Sequence, residues 1–566
     1  MPPRRTSRSA SVKPPSAAVA DKAAPKPQVN GTSNKRAASS ERPQSPPPKR
    51  SRGGEAHKSE NDPPAPSRKS ASKPTSKPAS KPASKPASRK KAVEPATKSS
   101  RNLSPVREDE PAPEPKQLKP YFNALPVPPL KHKPGLLLFA WGTGNFGQFG
   151  MGPDVLNEIQ KPKRNLWAEE QMQKGTFGEG NAGIEFVASG GLHTVFIDES
   201  GTVWTCGVND DAALGRVTQN VPDPNNSGSF LNVDDLTSIP QPLQSLVDEG
   251  FRAVKVVAGD SISAALSDKG ELRVWGSFRV NEGSLGFASG LKHQFTPVPI
   301  LTLSHKPGDI EKVSSIASGG NHLLVLTTHG NIYTWGAGEQ SQLGRKVLER
   351  RKIHGTVPEK IVLGTRVRKA VTVGAGAFHS FAVDEKGDLW GWGLNSMGQT
   401  GTGYESSEDS VVQLPKKVRR LSKEELGGDV VVQIAGGAHH TVFLTASGKV
   451  YACGRSNNGQ LGLADDDEAF KDRIDPDFIG EPALVTFPDT DDPVTQISCG
   501  SHNTSVVTRG GALYSWGQGV QSELGLGDEE EVRTPRVVVR KEGGAWFASA
   551  VACGGQHTIG LFRKKN

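Results

Sequence analysis

Cysteine, methionine and tyrosine are scarce in this sequence: 566 residues hold 4, 4 and 5 of them, and aromatic residues amount to 6%. Four scattered cysteines, Cys206, Cys453, Cys499 and Cys553, cannot build a disulfide framework, and no Cys or His spacing is that of a metal ligand set. No run of about 18 apolar residues occurs, and the first residues lack the apolar stretch of a secretory signal. A membrane span is therefore not expected, and a reducing cytosolic or nuclear compartment is. A Gly-x-x-x-x-Gly-Lys-Ser/Thr phosphate loop is also missing, and no Ser/His/Asp grouping or metal cluster can be assembled. Bond-making catalysis and a bound cofactor are thus not expected.

Glycine is abundant, with 64 residues, and much of it falls in a repeat. Seven short β-rich runs end in an aromatic residue or Cys before Gly: Trp141-Gly142, Cys206-Gly207, Trp275-Gly276, Trp335-Gly336, Trp392-Gly393, Cys453-Gly454 and Trp516-Gly517, with 57 to 69 residues between successive glycines. A second half-motif, a β-rich run into small residues and then usually His, occurs at His193, Ile262, His322, His379, His439-His440, His502-Asn503 and His557. The first Trp-Gly half has no His half before it, and the last His half has no Trp-Gly half after it. Matching orphan halves indicate a closed ring, in which the first and last segments build one unit and no sheet edge is left open. Within a unit the pattern has period 2, as in His193-Thr-Val-Phe-Ile197, with a turn at Ser200-Gly201 and a return at Val203-Trp204. The fold class expected is all-β: a seven-bladed β-propeller over residues 135–563, closed by pairing of strands near Leu136–Trp141 with strands near Phe547–Phe562.

The recurrent residues are first read as structural. Trp before Gly fills space between neighbouring sheets where Gly allows close approach. Histidines spread around a ring cannot all converge on one metal, so most are expected to bond to backbone groups of their own blade. The cysteines take repeat positions that other blades fill with Trp, Ala or Ser, and behave as small core residues.

Residues 1–120 are a different material, rich in Pro, Ser, Ala and Lys, with a four-residue repeat from Ser72 to Lys91. Such a segment cannot bury a core and is expected to be disordered, with a linker at 121–134. It holds 27 Lys and Arg against 10 Asp and Glu, whereas the rest holds 42 against 50. A flexible polycation ahead of an acidic body fits phosphate polymers as partners. Lys35-Arg36, followed after a spacer by Lys49-Arg50-Ser51-Arg52, has the form of a two-part nuclear import signal. Ser104-Pro105-Val106-Arg107 has the form of a proline-directed kinase site. Removal of Met1 exposes Pro2-Pro3-Arg4, which looks like an amino-terminal methyltransferase substrate.

Several segments carry a closer likeness. Ala258-Gly-Asp260 with Trp275-Gly-Ser-Phe-Arg279-Val280-Asn281-Glu282-Gly283, then Ser318-Gly-Gly-Asn-His322, and Gly338-Glu339-Gln340-Ser-Gln-Leu-Gly344-Arg345 resemble the regulator of chromosome condensation family, nuclear exchange factors for the GTPase Ran. The likeness covers roughly residues 135–563, and a basic tail before the ring is also that family's layout. It implies a protein that binds Ran on one propeller face, displaces nucleotide with a short β-wedge, and makes no covalent bond. Implied partners are Ran, the nucleosome (DNA, with histones) through the tail and one face, and importin through the tail, in the nucleus on chromatin.

The resemblance places the exchange face at Asn145, Arg279, Val280, Asn281, Glu282, Asn321, Arg345, His439, His440 and His557. It places the wedge at Phe287, Ser289, Gly290, Leu291, Lys292, His293, Gln294 and Phe295. Asn145, Val280 and Asn321 stand where the animal pattern has Asp, and Ile262 where it has His, so wedge insertion, polar contacts and the histidines are expected to carry exchange. The alternative reading is a chromatin-binding propeller without exchange activity.

Overall fold

The computed structural model describes residues 119–565, apart from 366, 472 and 528. The expectations for Pro2, Lys35, Arg36, Lys49, Arg50, Arg52 and Ser104, and for the disorder of the tail, lie outside the described residues.

The strands form seven four-stranded antiparallel sheets, accompanied by two short two-stranded hairpins. Blade 1 is Ile184–Ser189, His193–Asp198, Val203–Gly207 and Gln241–Pro242, from the axis outward. Blades 2 to 6 follow the same order, beginning at Ala253, Val313, Ala370, Val431 and Val494. The seventh blade joins the two ends of the ring: Trp546–Cys553 and His557–Lys564 supply its inner strands, Leu137–Gly142 and Ile159–Arg164 its outer ones. Leu137 lies opposite Phe562, Trp141 opposite Thr558 and Gly142 opposite His557, so the expected closure is observed. It removes the open edges that an uncapped stack of sheets would present.

The second strand of every blade is buried at each of its first six residues, polar ones included, as in His193–Asp198 and His322–Thr327. Period-2 alternation in these strands therefore does not separate core from solvent. Each such strand is covered on both faces by neighbouring blades, and its alternate side chains serve two different seams. The turn after it is tight: in blade 1, Asp198 accepts hydrogen bonds from the backbone N–H groups of Ser200 and Thr202, and the Trp204 indole donates to its other oxygen at 2.9 Å. Helices are confined to inserts, such as Leu166–Gln173, whose N-terminus is capped by Asn165. None of the described helices is long and apolar enough to cross a membrane.

The inner strands surround an axial channel of about 450 Å³. Its two mouths differ. The Gly-rich loops before the histidines and the turns after the Trp-Gly pairs share one face. The opposite face carries the turns between second and third strands, and there residues 119–134 lie on the ring. Phe122 N–H donates to Thr328 O at 2.9 Å, Asn123 Nδ2 donates to Thr327 O at 3.0 Å and Ala370 O at 2.9 Å, and Lys369 Nζ sits 4.5 Å from the Phe122 ring centroid. Pro126, Pro129 and Leu130 then line a cavity of about 680 Å³ together with inner-strand residues Phe186, Lys255 and Gln496. Proline-rich chain is already extended before it docks, which lowers the entropy lost in lying across the ring.

Candidate partner-binding face

The seams between blades explain the repeat and decide which histidines are available. Each Trp-Gly run is followed by a tetrapeptide ending in Gly, as in Ser341-Gln342-Leu343-Gly344. Except in blade 2, the carbonyl of its second residue points at the next blade. Gln342 O accepts from Trp392 Nε1 at 2.9 Å and from Ser380 Oγ at 2.8 Å, and His322 Nε2 lies 2.7 Å from that same Ser380 Oγ. Because the Ser380 hydroxyl donates to the carbonyl, His322 Nε2–H is the donor to the hydroxyl. The same triplet recurs with Glu523 O, Trp141 and Thr558, with Gln460 O, Trp516 and Thr504, and with Ala213 O, Trp275 and Ser263. Cys206 and Cys453 replace Trp and reach Gln148 O and Gln399 O through sulfur at 3.8 and 3.7 Å. The histidines thus bond across seams, to hydroxyls of the next blade, and not to backbone of their own blade as their spacing had led us to expect.

His440 and His557 belong to this lock. His557 Nε2 is 2.9 Å from Thr194 Oγ1 and His440 Nε2 is 3.1 Å from Thr504 Oγ1, with both rings buried. Burial pulls the pKa of each down to about 3, so both are neutral blade residues without a surface to offer a partner. This corrects their assignment to the exchange face. His439 does reach that face. It is half-buried beside His502, and burial first, then Arg455, lowers the pKa of both rings.

Most of the remaining predicted residues gather around an insertion in blade 2. Arg279–Val280 and Gly283–Ser284 form a two-stranded hairpin with Asn281 and Glu282 exposed at its tip. This hairpin, and not the segment from Phe287 to Phe295, is the β-element standing free of the blade. Phe287 is buried against Phe278, Gln294 pairs with Gly276 in the outer strand, and Ala288–Lys292 is an exposed turn beside the hairpin. Ser289, Gly290, Leu291 and Lys292 are therefore open to a partner, whereas Phe287 anchors the insertion.

The hairpin is held by two neighbours. Asp211, from the turn of blade 1, accepts from Ser284 Oγ at 2.6 Å and from Arg279 Nη1 at 3.0 Å, and its Oδ1 lies 3.2 Å from His293 Nε2. Asn321 Oδ1 accepts from Arg279 N at 2.9 Å while its Nδ2 donates to Asp260 Oδ2 at 2.7 Å. A carboxylate at 321 could not make the second bond, so Asn suits this site for a physical reason. Glu282, Glu339 and Glu349 lie close enough to share an ion, and Lys352 Nζ fills that position at 2.8, 3.2 and 2.9 Å. Arg345 is used within blade 3, donating to Gly355 O and Val357 O and pairing with Glu359. Asn145 is exposed in the turn after Gly142.

Sequence reading missed Asp211 as a site residue. Its only signal was the acidic pair Asp210-Asp211, whose second position is uncharged in the matching turns of the other blades. Between the blade 1 turn and Arg279 lies a cavity of about 410 Å³, lined also by Asp210, Asp260 and Gln556. Around the same face stand exposed apolar side chains from several blades: Phe146, Val217, Leu291, Phe295, Leu348 and Val520. Apolar groups spread over one face among polar ones are the composition of a protein-docking surface.

Residues 137–560 match the family described as the RCC1-like domain. The chain belongs to that family. Among curated relatives, "Protein pim1" of Schizosaccharomyces pombe is 33% identical over 443 residues, covering 77% of this chain and 76% of the relative. "Guanine nucleotide exchange factor SRM1" of Saccharomyces cerevisiae is 32% identical, covering 75% and 86%, and the human "Regulator of chromosome condensation" is 32% identical, covering 76% and 92%. Among solved structures, Prp20p of Saccharomyces cerevisiae, described with its binding to Gsp1p and histones, superposes with a TM-score of 0.65 at 30% identity, covering 79% of this chain and 93% of that one. Yeast RCC1 (Prp20) bound to Kap60 superposes equally well, at 29% identity, covering 82% and 97%. The RCC1-like match spans all seven blades, whereas the tail lies before it.

Proposed function

We propose that this protein is a guanine nucleotide exchange factor for the GTPase Ran, working on chromatin in the nucleus. The observation that carries the reading is the braced hairpin Arg279–Ser284 beside an exposed turn, on the face where apolar side chains gather, in a chain whose relatives include a named exchange factor. The GTPase docks on that face, with Asn281, Glu282 and Leu291 as leading contacts and Asn145 and His439 at its margin. The hairpin is the wedge that meets the nucleotide pocket.

The mechanism needs no bond-making residue. A protein that binds the nucleotide-free GTPase more tightly than the loaded form weakens nucleotide binding by the same factor. An acceleration of about 10⁵ corresponds to roughly 7 kcal/mol of barrier, within the reach of an interface of about 1,600 Å². Asp211 and Asn321 place the hairpin at this face before a partner arrives, which lowers the ordering cost of the encounter. Asp211 and Asp260 also keep carboxylates at the face even though Asn145, Val280 and Asn321 carry none.

The basic tail attaches the protein to the nucleosome and to importin, by analogy with the histone and Kap60 binding of the yeast protein. Release of a fluorescent guanine nucleotide from purified Ran tests the central claim. Stimulated release at catalytic protein concentration is expected, and a rate equal to the spontaneous one leaves a chromatin-binding propeller without exchange.

A further inference from the structure

One seam lacks the histidine, the hydroxyl and the hydrogen bonds of the lock. Blade 2 has Ile262 in the histidine position and blade 3 has Leu323 in the hydroxyl position, and the two pack together in one apolar cluster. The indole of Trp335 is fully buried, and its Nε1–H has no hydrogen-bond partner among the described residues. Every other seam gives the equivalent indole or thiol a carbonyl from the preceding tetrapeptide.

The tetrapeptide itself is present in blade 2, as Gly283-Ser284-Leu285-Gly286, and it is displaced. At four other seams its last glycine lies against the next tryptophan, so closely that a Cβ on Gly215, Gly344, Gly462 or Gly525 would come within 2.7 to 2.8 Å of indole atoms. Gly286 instead lies against Leu291 O and Lys292 Cα of its own insertion. Ser284 is paired with Arg279 in the hairpin and bonded through Oγ to Asp211. The hairpin that stands out toward a partner is thus drawn from the residues that elsewhere close the seam.

We infer that Trp335 is a positioning residue for exchange: when the GTPase engages the hairpin, Gly283–Gly286 moves to the place its counterparts hold at the other seams, where Ser284 O accepts the Trp335 indole N–H. The inference rests on the exchange function proposed above. A partner that takes Arg279 away from Asp211 removes one hold on the displaced position, and the orphan indole supplies a bond available only in the other. The partner's preference for one arrangement is then what shifts the population.

The test uses the full chain with Trp335→Phe, and Trp392→Phe as the control that removes a bonded indole. Trp335→Phe is expected to lower the melting temperature less than Trp392→Phe does, because it removes packing but no hydrogen bond, and to lower the maximal nucleotide-release rate about tenfold, with the half-saturating Ran concentration unchanged. Trp392→Phe is expected to do the reverse, lowering the melting temperature more, with normal release per folded molecule. In protein labelled with 5-fluorotryptophan, the ¹⁹F resonance missing from Trp335→Phe should shift on addition of nucleotide-free Ran. A melting loss in Trp335→Phe equal to that of Trp392→Phe, a normal maximal rate, or an unmoved resonance in a complex that forms each overturns the latch alone. Absence of stimulated release by the unsubstituted protein overturns the exchange function and the latch with it.

Discussion

His557 Nε2 and Thr194 Oγ1 are 2.9 Å apart although 363 residues separate them in the chain. The bond ties the closing blade to blade 1, and the Thr194 hydroxyl passes it on to Gln148 O at 2.7 Å. The ring is therefore closed twice at this point, by the strand ladder of Leu137–Gly142 with His557–Lys564 and by a side-chain chain one seam further round.

Such locks make the fold sensitive to acid. Burial lowers the pKa of His322, His440 and His557 to about 3 and of His193 to about 4, and that of His379 well below its ordinary value. In the unfolded chain each titrates near 6.5, so below that pH the unfolded state binds more protons and stability falls as pH falls. Each buried ring contributes up to about 1.4 kcal/mol per pH unit in that window. The melting temperature is expected to be flat from pH 8 to 7 and to drop steeply between pH 6.5 and 4. His557→Ala should lower it at pH 7.5, with any loss of exchange following the folded fraction. A flat profile down to pH 4.5 contradicts the neutral buried assignment.

Closure makes the last segment indispensable. Deleting residues 546–566 removes two strands of the seventh blade and leaves Leu137–Gly142 without its inner partner. The remaining blades would form an open stack with exposed edges, so the deletion should abolish the single cooperative transition and promote association. An unaltered melting curve would show that the ring is not closed this way in solution.

The fold was legible in the chain because orphan half-motifs at the two ends are a topological signal, independent of propensity. The site was only partly legible, for reasons visible in single residues. His193 and His557 carry the same local pattern as His439, yet two are buried seam locks and one reaches the surface; the adjacent His440 takes the lock position in blade 5. One residue of register decides between the two roles, and single-strand reading cannot resolve that register. The segment Phe287 to Phe295 looks like an interruption of the blade, whereas its ends belong to the core and the outer strand and the free hairpin lies a few residues earlier. Asp211 reaches the hairpin across a seam, over 68 residues of sequence from Arg279, and no local pattern announces such a contact.

Residues 119–134 separate two effects that truncation would otherwise confuse. Deleting residues 1–118 removes most of the tail charge and leaves the contacts of Phe122 and Asn123, so the melting temperature should hold while the slope of log DNA affinity against log salt flattens. Extending the deletion to residue 134 should also lower the melting temperature by several degrees, since it removes two side-chain hydrogen bonds and a cation–π contact worth about 1 kcal/mol each. An unchanged salt slope in the shorter deletion would move DNA binding onto the ring.

Asn321 provides the sharpest test of the hairpin brace. Its amide accepts from Arg279 N and donates to Asp260 Oδ2, and only an amide in this orientation does both. Asn321→Asp replaces the donor with a carboxylate oxygen facing another carboxylate at hydrogen-bond distance, where two like charges cannot both persist cheaply. One of the pair should titrate above the ordinary carboxylate range, so the stability deficit relative to the unsubstituted protein should be largest near pH 8, roughly 1–3 kcal/mol, and shrink toward pH 5 as the shared proton binds. Exchange at pH 8 should fall in parallel as the hairpin loosens. The double substitution Asn321→Asp with Asp260→Asn restores one donor and one charge, and should recover both stability and exchange. If Asn321→Asp is as stable as the unsubstituted protein at pH 8, or if Asp260→Asn fails to rescue it, the amide does not bridge Asp260 to the hairpin, and Asp211 alone braces it.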